Sequence, residues 1–137
     1  MALKQIGFVE LIAAIQKRIE QETGLKCYDA VPLNAESPFY FVEGISKRPD
    51  NTKTFFRDLF TIWIHCISEE GESHVSVYEL IRGVDEAMTI DIVLPEEYWL
   101  MQQTNTGVQN IFDEETGEKH AVCSFEFKVS YGFRTKV

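Results

Sequence analysis

Between Ala121 and Phe133 the chain alternates apolar and mostly polar residues along its whole run. Ala121, Cys123, Phe125, Phe127, Val129, Tyr131 and Phe133 occupy one phase; His120, Val122, Ser124, Glu126, Lys128 and Ser130 occupy the other. Period two belongs to a β-strand, whose successive side chains point to opposite faces, whereas a helix would mix the two sets. Four aromatics on one face, each worth roughly 1.5–3 kcal/mol when buried, require a cover of helix or second sheet.

Two stretches supply that cover. From Phe8 to Thr23, Phe8, Leu11, Ile12, Ile15 and Ile19 recur at three- and four-residue steps among Glu10, Gln16, Lys17, Arg18 and Glu20, which predicts an amphipathic helix. Gly24 stands where a left-handed cap ends such a helix, with Leu25 placed for the accompanying apolar contact. A second helix is expected from an N-cap at Ser73 to about Met88, with Val77, Leu80, Ile81, Val84 and Met88 as its stripe. Gly83 weakens that helix by roughly 1 kcal/mol relative to alanine.

The remaining segments read as strands and turns. Leu25 to Ala30 is a short strand candidate stopped by Pro32, and Phe39 to Ile45 resumes the extended pattern. Ser46 to Lys53, with Pro49-Asp50-Asn51, is the turn of a hairpin. Phe55 to Ser68 is apolar on both sides: Phe56, Phe60, Ile62, Ile64 and Cys66 share one face with Asp58, and Leu59, Thr61, Trp63, His65 and Ile67 share the other, the mark of a central strand. Ile90 to Leu94 is a short extended run before Pro95, and Tyr98 to Phe112 an irregular strand broken near Gly107. Asp113 to Glu118 turns back into the final strand. The expectation is an α+β fold of order α-β-β-β-α-β-β, one domain over residues 1–137, with a mainly antiparallel sheet of four to six strands and two helices packed on one face.

Composition narrows the function classes. With 45% hydrophobic and 12% aromatic residues, the 137-residue chain is expected to form a true core. No segment reaches the roughly eighteen apolar residues of a membrane span, and Met1 to Glu10 lacks a signal-like run, so a cytoplasmic protein without membrane partners is expected. A net charge of −9 from 22 acidic and 13 basic residues argues against a phosphate-gripping nucleic-acid binder. Cys27, Cys66 and Cys123 are odd in number and lack CxxC spacing, so buried thiols in a reducing compartment are expected, not disulfides or a zinc ribbon.

Catalytic and metal motifs are missing: there is no P-loop, GxGxxG, HExxH or GxSxG. His65 and Cys66 are adjacent on a strand, and His120 and Cys123 are three apart, so neither pair can close on one metal. A Cys123–His65 nucleophile pair would need a thiolate-stabilising setting, yet Cys123 falls on an apolar face beside Phe125. The acidic runs Glu69-Glu70-Gly71-Glu72 and Asp113-Glu114-Glu115 lack the alternating ligands of a calcium loop. No enzyme activity, cofactor or metal is expected.

The run Thr23-Gly-Leu, then Val31-Pro-Leu-Asn-Ala-Glu-Ser-Pro-Phe-Tyr-Phe-Val42, then Phe56-Arg-Asp-Leu-Phe-Thr-Ile-Trp-Ile-His-Cys-Ile-Ser68, followed by a helix near Ser73, resembles the tail-completion (tail-terminator) proteins of long-tailed bacteriophages and prophages. The resemblance implies a non-enzymatic virion protein that caps the head-proximal end of the tail tube as a ring, a hexamer by that likeness, and joins it to the head. Its implied partners are copies of itself, the tail tube protein and the head connector proteins, with DNA passing through the ring and no specific nucleic-acid binding. Assembly in the bacterial host cytoplasm and residence in the virion tail or neck follow. Another small phage neck or head-completion protein, and a bacterial α+β module binding a small molecule or peptide through the Trp63 face, remain alternatives.

The interface expectation comes from the long strand. Two helices cover one face of a sheet of this size, and the final strand's own opposite side looks fit for water, so the Leu59, Trp63, His65 side should be partly open. Tyr98, Trp99 and Met101 either extend this patch or fold over Trp63 and seal it. These six residues form the candidate subunit interface.

Overall fold

The computed structural model describes residues 2–134 and has the α+β architecture that the periodicities predict. The elements are α1 (Phe8–Thr23), β1 (Cys27–Tyr28), β2 (Phe39–Pro49), β3 (Phe55–Ile67), α2 (Val75–Ala87), β4 (Trp99–Asp113) and β5 (Lys119–Phe133). They build one five-stranded sheet in the order β1-β2-β3-β5-β4, in which only β1–β2 is parallel. The two hairpins, β2–β3 and β4–β5, are joined through a central antiparallel β3–β5 ladder that pairs Phe60 with Phe127, Ile62 with Phe125 and Ile64 with Cys123.

Both helices lie on the face carrying those pairs. Leu11, Ile15 and Ile19 of α1 and Val77, Leu80 and Val84 of α2 form a single core with Tyr40, Val42, Phe60, Ile62, Ile64, Phe125, Phe127 and Val129. All these side chains are buried, which removes the aromatic face of β5 from water. α1 has its predicted bounds, and Gly24 caps it in the left-handed region (φ 73°) with its N–H on the Glu20 carbonyl. Cys66 and Cys123 are buried on the same face, where their mutual contact and burial push the Cys66 thiol well above its ordinary range.

Several boundaries differ from the sequence reading, each for a local reason. β2 runs on to Pro49 instead of ending at Ile45, because a bulge at Ile45 resets the register and residues 46–49 pair with Asp58 to Thr61. The turn is thereby compressed to residues 50–54, where the Asn51 side chain accepts from the Arg57 N–H and the Thr52 hydroxyl from the Phe55 N–H. α2 starts one residue later than expected, with His74 at the cap position, while the Ser73 hydroxyl accepts from the Val75 N–H. Residues 90–94 form no strand; the Gln103 side chain of β4 takes the Ile92 N–H and donates to the carbonyls of Met88 and Ile90 instead. β5 also bulges: Phe56 pairs with Gly132 and Arg57 with Ser130, so Tyr131 is left over. The alternation therefore flips, and Phe133 leaves the apolar face to which periodicity assigned it.

Gly83 is explained by packing. The Tyr40 hydroxyl donates to the Leu80 carbonyl at 2.8 Å, and a Cβ at Gly83 would lie 2.8 Å from the Tyr40 hydroxyl oxygen. Alanine favours a helix by about 1 kcal/mol, but crowding a packed interior costs about 1–3 kcal/mol. Gly83→Ala is therefore expected to lower the melting temperature in the wild-type background and to be neutral or stabilising in Tyr40→Phe, where the hydroxyl is gone. Thermal unfolding of the four-member cycle checks this, and strictly additive changes would refute the contact.

Candidate functional site

With both helices on one side, the opposite face of β2, β3, β5 and β4 carries no covering element among the described residues. The register sets its rows. Trp63 of β3 lies between Glu43 of β2 and Ser124 of β5, Leu59 between Arg48 and Lys128, and His65 between Phe41 and Val122. Alternation thus correctly put Leu59, Trp63 and His65 on one face. Trp63 is half-buried, but Leu59 and His65 are buried, as are His120, Val122, Ser124 and Ser130 of β5. The polar side of β5 is therefore not bathed in water as expected. β3 and β5 are inner strands, and long side chains from both neighbours close over their short and medium ones.

The other three candidates separate. Tyr98 belongs to the core and its hydroxyl donates to the Gln5 carbonyl at 3.3 Å, away from Trp63. Trp99 pairs with Ser130 on the open face, six residues along β5 from the partner of Trp63, a distance of roughly 20 Å at about 3.4 Å per residue. It leaves Trp63 uncovered and joins Phe133 (ring centroids 5.7 Å), which meets Phe55 (5.3 Å). Met101 stands at a bulge of β4 and is exposed. The open face thus carries a Trp99–Phe133–Phe55 cluster at one end, with Trp99 and Phe133 exposed, and Trp63 nearer its middle.

At the other end lies a constellation that the sequence reading missed. Glu43 Oε1 is 2.9 Å from His65 Nε2, His65 Nδ1 is 2.7 Å from His120 Nε2, and His120 Nδ1 is 2.6 Å from Glu114 Oε1. Phe41 stacks on His65 at 4.1 Å and Phe112 on His120 at 4.4 Å, so the two imidazoles are flanked by aromatic rings. Carboxylate oxygens only accept, so the outer ring nitrogen of each histidine is the donor. His65 Nε2–H donates to Glu43, and His120 Nδ1–H donates to Glu114. The rings are 55 residues apart in sequence. The only signal available was that both occupy the same strand phase, and only the β3–β5 register brings them together.

Burial lowers the pKa of His65, and the neighbouring His120 lowers it further, against the raising effect of Glu43. The folded state therefore binds fewer protons than the unfolded chain once the pH falls below the ordinary histidine value of 6.5. Stability is expected to fall as the pH drops from about 6.5 toward 5, where histidine charges in the unfolded chain. Thermal melts across that range should show a smaller acid loss in His120→Asn, and an unchanged slope would remove the network as its cause.

The arrangement offers little covalent chemistry. Among the described residues no group of three His, Cys, Asp or Glu is placed to hold a metal ion. Cys123 faces the helices while His65 faces away from them, so the two cannot form a nucleophile pair. Among the described residues no helix is long and apolar enough to cross a membrane. The charge is instead polarised along the strands. Glu69, Glu70, Glu72, Glu114, Glu115 and Glu118 gather where β3 leaves and β5 enters the sheet; Lys47, Arg48, Lys53, Arg57, Lys128 and Arg134 gather at the opposite end, where Asp50, Asp58, Glu96 and Glu97 partly offset them.

Comparison with known proteins gives this geometry a context. A family model for phage tail terminators, described as "Putative tail termination protein", matches residues 2–137. Among solved structures, a chain of "Virion of native gene transfer agent (GTA) particle" superposes with a TM-score of 0.68 at 18% identity, over 89% of this chain and 96% of that chain, which is a likeness of fold. No curated protein matches. A two-helix, one-sided sheet matched over nearly its whole length by that model places the chain in one group: it belongs to the phage tail terminator family.

Proposed function

We propose that this chain is a non-enzymatic structural protein, acting as a single domain, that closes the head-proximal end of a phage tail tube as a ring of six copies and joins the tail to the head. The observation that carries this reading is the family match over residues 2–137. The one-sided sheet supports it, because an uncovered face with exposed aromatics is what an assembling subunit presents and an isolated one must keep small. Its partners are further copies of itself, the tail tube protein and the head connector proteins, met in the host cytoplasm and kept in the virion neck. DNA passes the assembly without specific binding, in line with the net charge of −9.

Within the ring, Trp63 is the anchor on the open face, half-buried in the isolated chain and filled over by a neighbour, as large aromatics at interface centres are. A small-molecule module is less well supported. The concavity on this face, about 260 Å³, is lined by Arg48, Leu59, Gln102, Thr104, Glu126 and Lys128, mostly polar and without Trp63.

Trp63→Asp is expected to melt within a few degrees of the wild type yet to fail in ring formation and in joining heads to assembled tails. A loss of monomer stability above about 3 kcal/mol, the range of a large core truncation, would make Trp63 a core residue. Purified protein mixed with duplex DNA at physiological salt should give no retarded band; a band abolished by added salt would assign DNA contact to the Lys47–Arg57 end.

A further inference from the structure

β4 is the least protected strand of the sheet. It spans fifteen residues at one edge, and its substantial contacts with other elements are all with β5. Exposed edge strands normally carry lysine, arginine or proline to prevent pairing with another chain. Trp99–Asp113 contains none of these, and Val108, Ile111 and Phe112 are exposed along it. Its second half, Val108–Asp113, is exposed at every residue, although it alternates between a helix-side and an open-side phase. Neither face nor edge of that half is finished within one copy.

The opposite margin of the sheet is also unfinished. β1 pairs β2 only at Tyr40 and Phe41, and beyond it Glu43–Pro49 is exposed. Three antiparallel steps separate β2 from β4, so these strands run in opposite directions. A second copy set beside β4 in the same sense therefore offers its β2 antiparallel to it. In that arrangement Lys47-Arg48, at the end of β2, fall beside Glu96-Glu97, exposed at the start of β4. Pairing two β2 edges side by side in parallel would instead oppose like charges.

We propose that the start of β4 in one copy pairs antiparallel with residues 43–49 of a second copy, continuing the sheet across the subunit boundary. This head-to-tail contact uses two different surfaces of each copy, the type that repeats into a ring when its rotation closes. It rests on the ring reading above and names the lateral joint in that ring.

The test exploits the head-to-tail sense. Two variants of the full chain are made, Glu96→Lys with Glu97→Lys, and Arg48→Glu, and self-association is measured by sedimentation velocity over a concentration series. Each variant alone places like charges across the joint and is expected to associate at least tenfold more weakly than wild type. An equimolar mixture restores association, because the unaltered β4 start of the Arg48→Glu copy then meets the unaltered β2 end of the other variant. Met101→Lys, exposed in the part of β4 that this register sets against residues 43–49, weakens association in every combination while circular dichroism shows a folded chain. A mixture no stronger than its components overturns the proposal. So does loss of association on Met101→Lys with indifference to Arg48→Glu, which would indicate a β4-to-β4 dimer. If Trp63→Asp abolishes assembly on tails while all the edge variants assemble normally, the joint falls and the ring reading stands. Wild-type protein that remains monomeric both in solution and on tails ends both.

Discussion

The constraint on which the structure depends is that two helices must dehydrate the aromatic side of one sheet. Phe60, Ile62, Ile64, Phe125 and Phe127 meet in cross-strand rows on β3 and β5, and no pair of strands could bury them alone. α1 and α2 lie over those rows and are used up in doing so. Tyr40 shows how closely: its ring fills the space under α2, its hydroxyl satisfies the Leu80 carbonyl, and the helix admits it only by having no side chain at residue 83. A chain of this size has no third layer to offer, so its second sheet face is left to other means.

Those means are visible in the side chains of the open face. Inner-strand positions are closed off by neighbours on the same face, which is why Leu59, His65 and Ser130 are buried without a covering element. Polar groups closed off in this way need partners. The Ser130 hydroxyl donates to the Phe56 carbonyl, and the histidines use each other and two carboxylates. The carboxylates reach outward, Glu43 from an exposed stretch of β2 and Glu114 from the acidic turn, so the imidazole chain ends at the rim and not within the core. Apolar side chains that find no such closure, Trp99 and Phe133 foremost, remain exposed at the basic end.

This uneven finish fits a protein whose family works in an assembled virion. The helix side is saturated and belongs to the monomer. The open face and the β4 margin hold exposed apolar surface and unpaired strand edge, which a solitary protein would cover or charge.

The sequence by itself determined the elements and the side of each that faces the core. The 3.6-residue stripe of α1, the period-two runs of β3 and β5, Gly24 and the turn residues at Asp50-Asn51 act through neighbours within a few positions, so their consequences are local and readable. It also placed Leu59, Trp63 and His65 on a shared face, because alternation is a property of one strand. What only the tertiary structure decided were the relations between strands. The bulges at Ile45 and Tyr131, the second of which moved Phe133 to the other face, depend on the length of a partner ladder. The removal of Tyr98 into the core depends on the Gln5 backbone. The joining of His65 to His120 depends on a register set by the packing of Phe60 on Phe127 and Ile62 on Phe125. Register is fixed by which side chains fill the same space, and residues tens of positions apart share space only once the chain has folded.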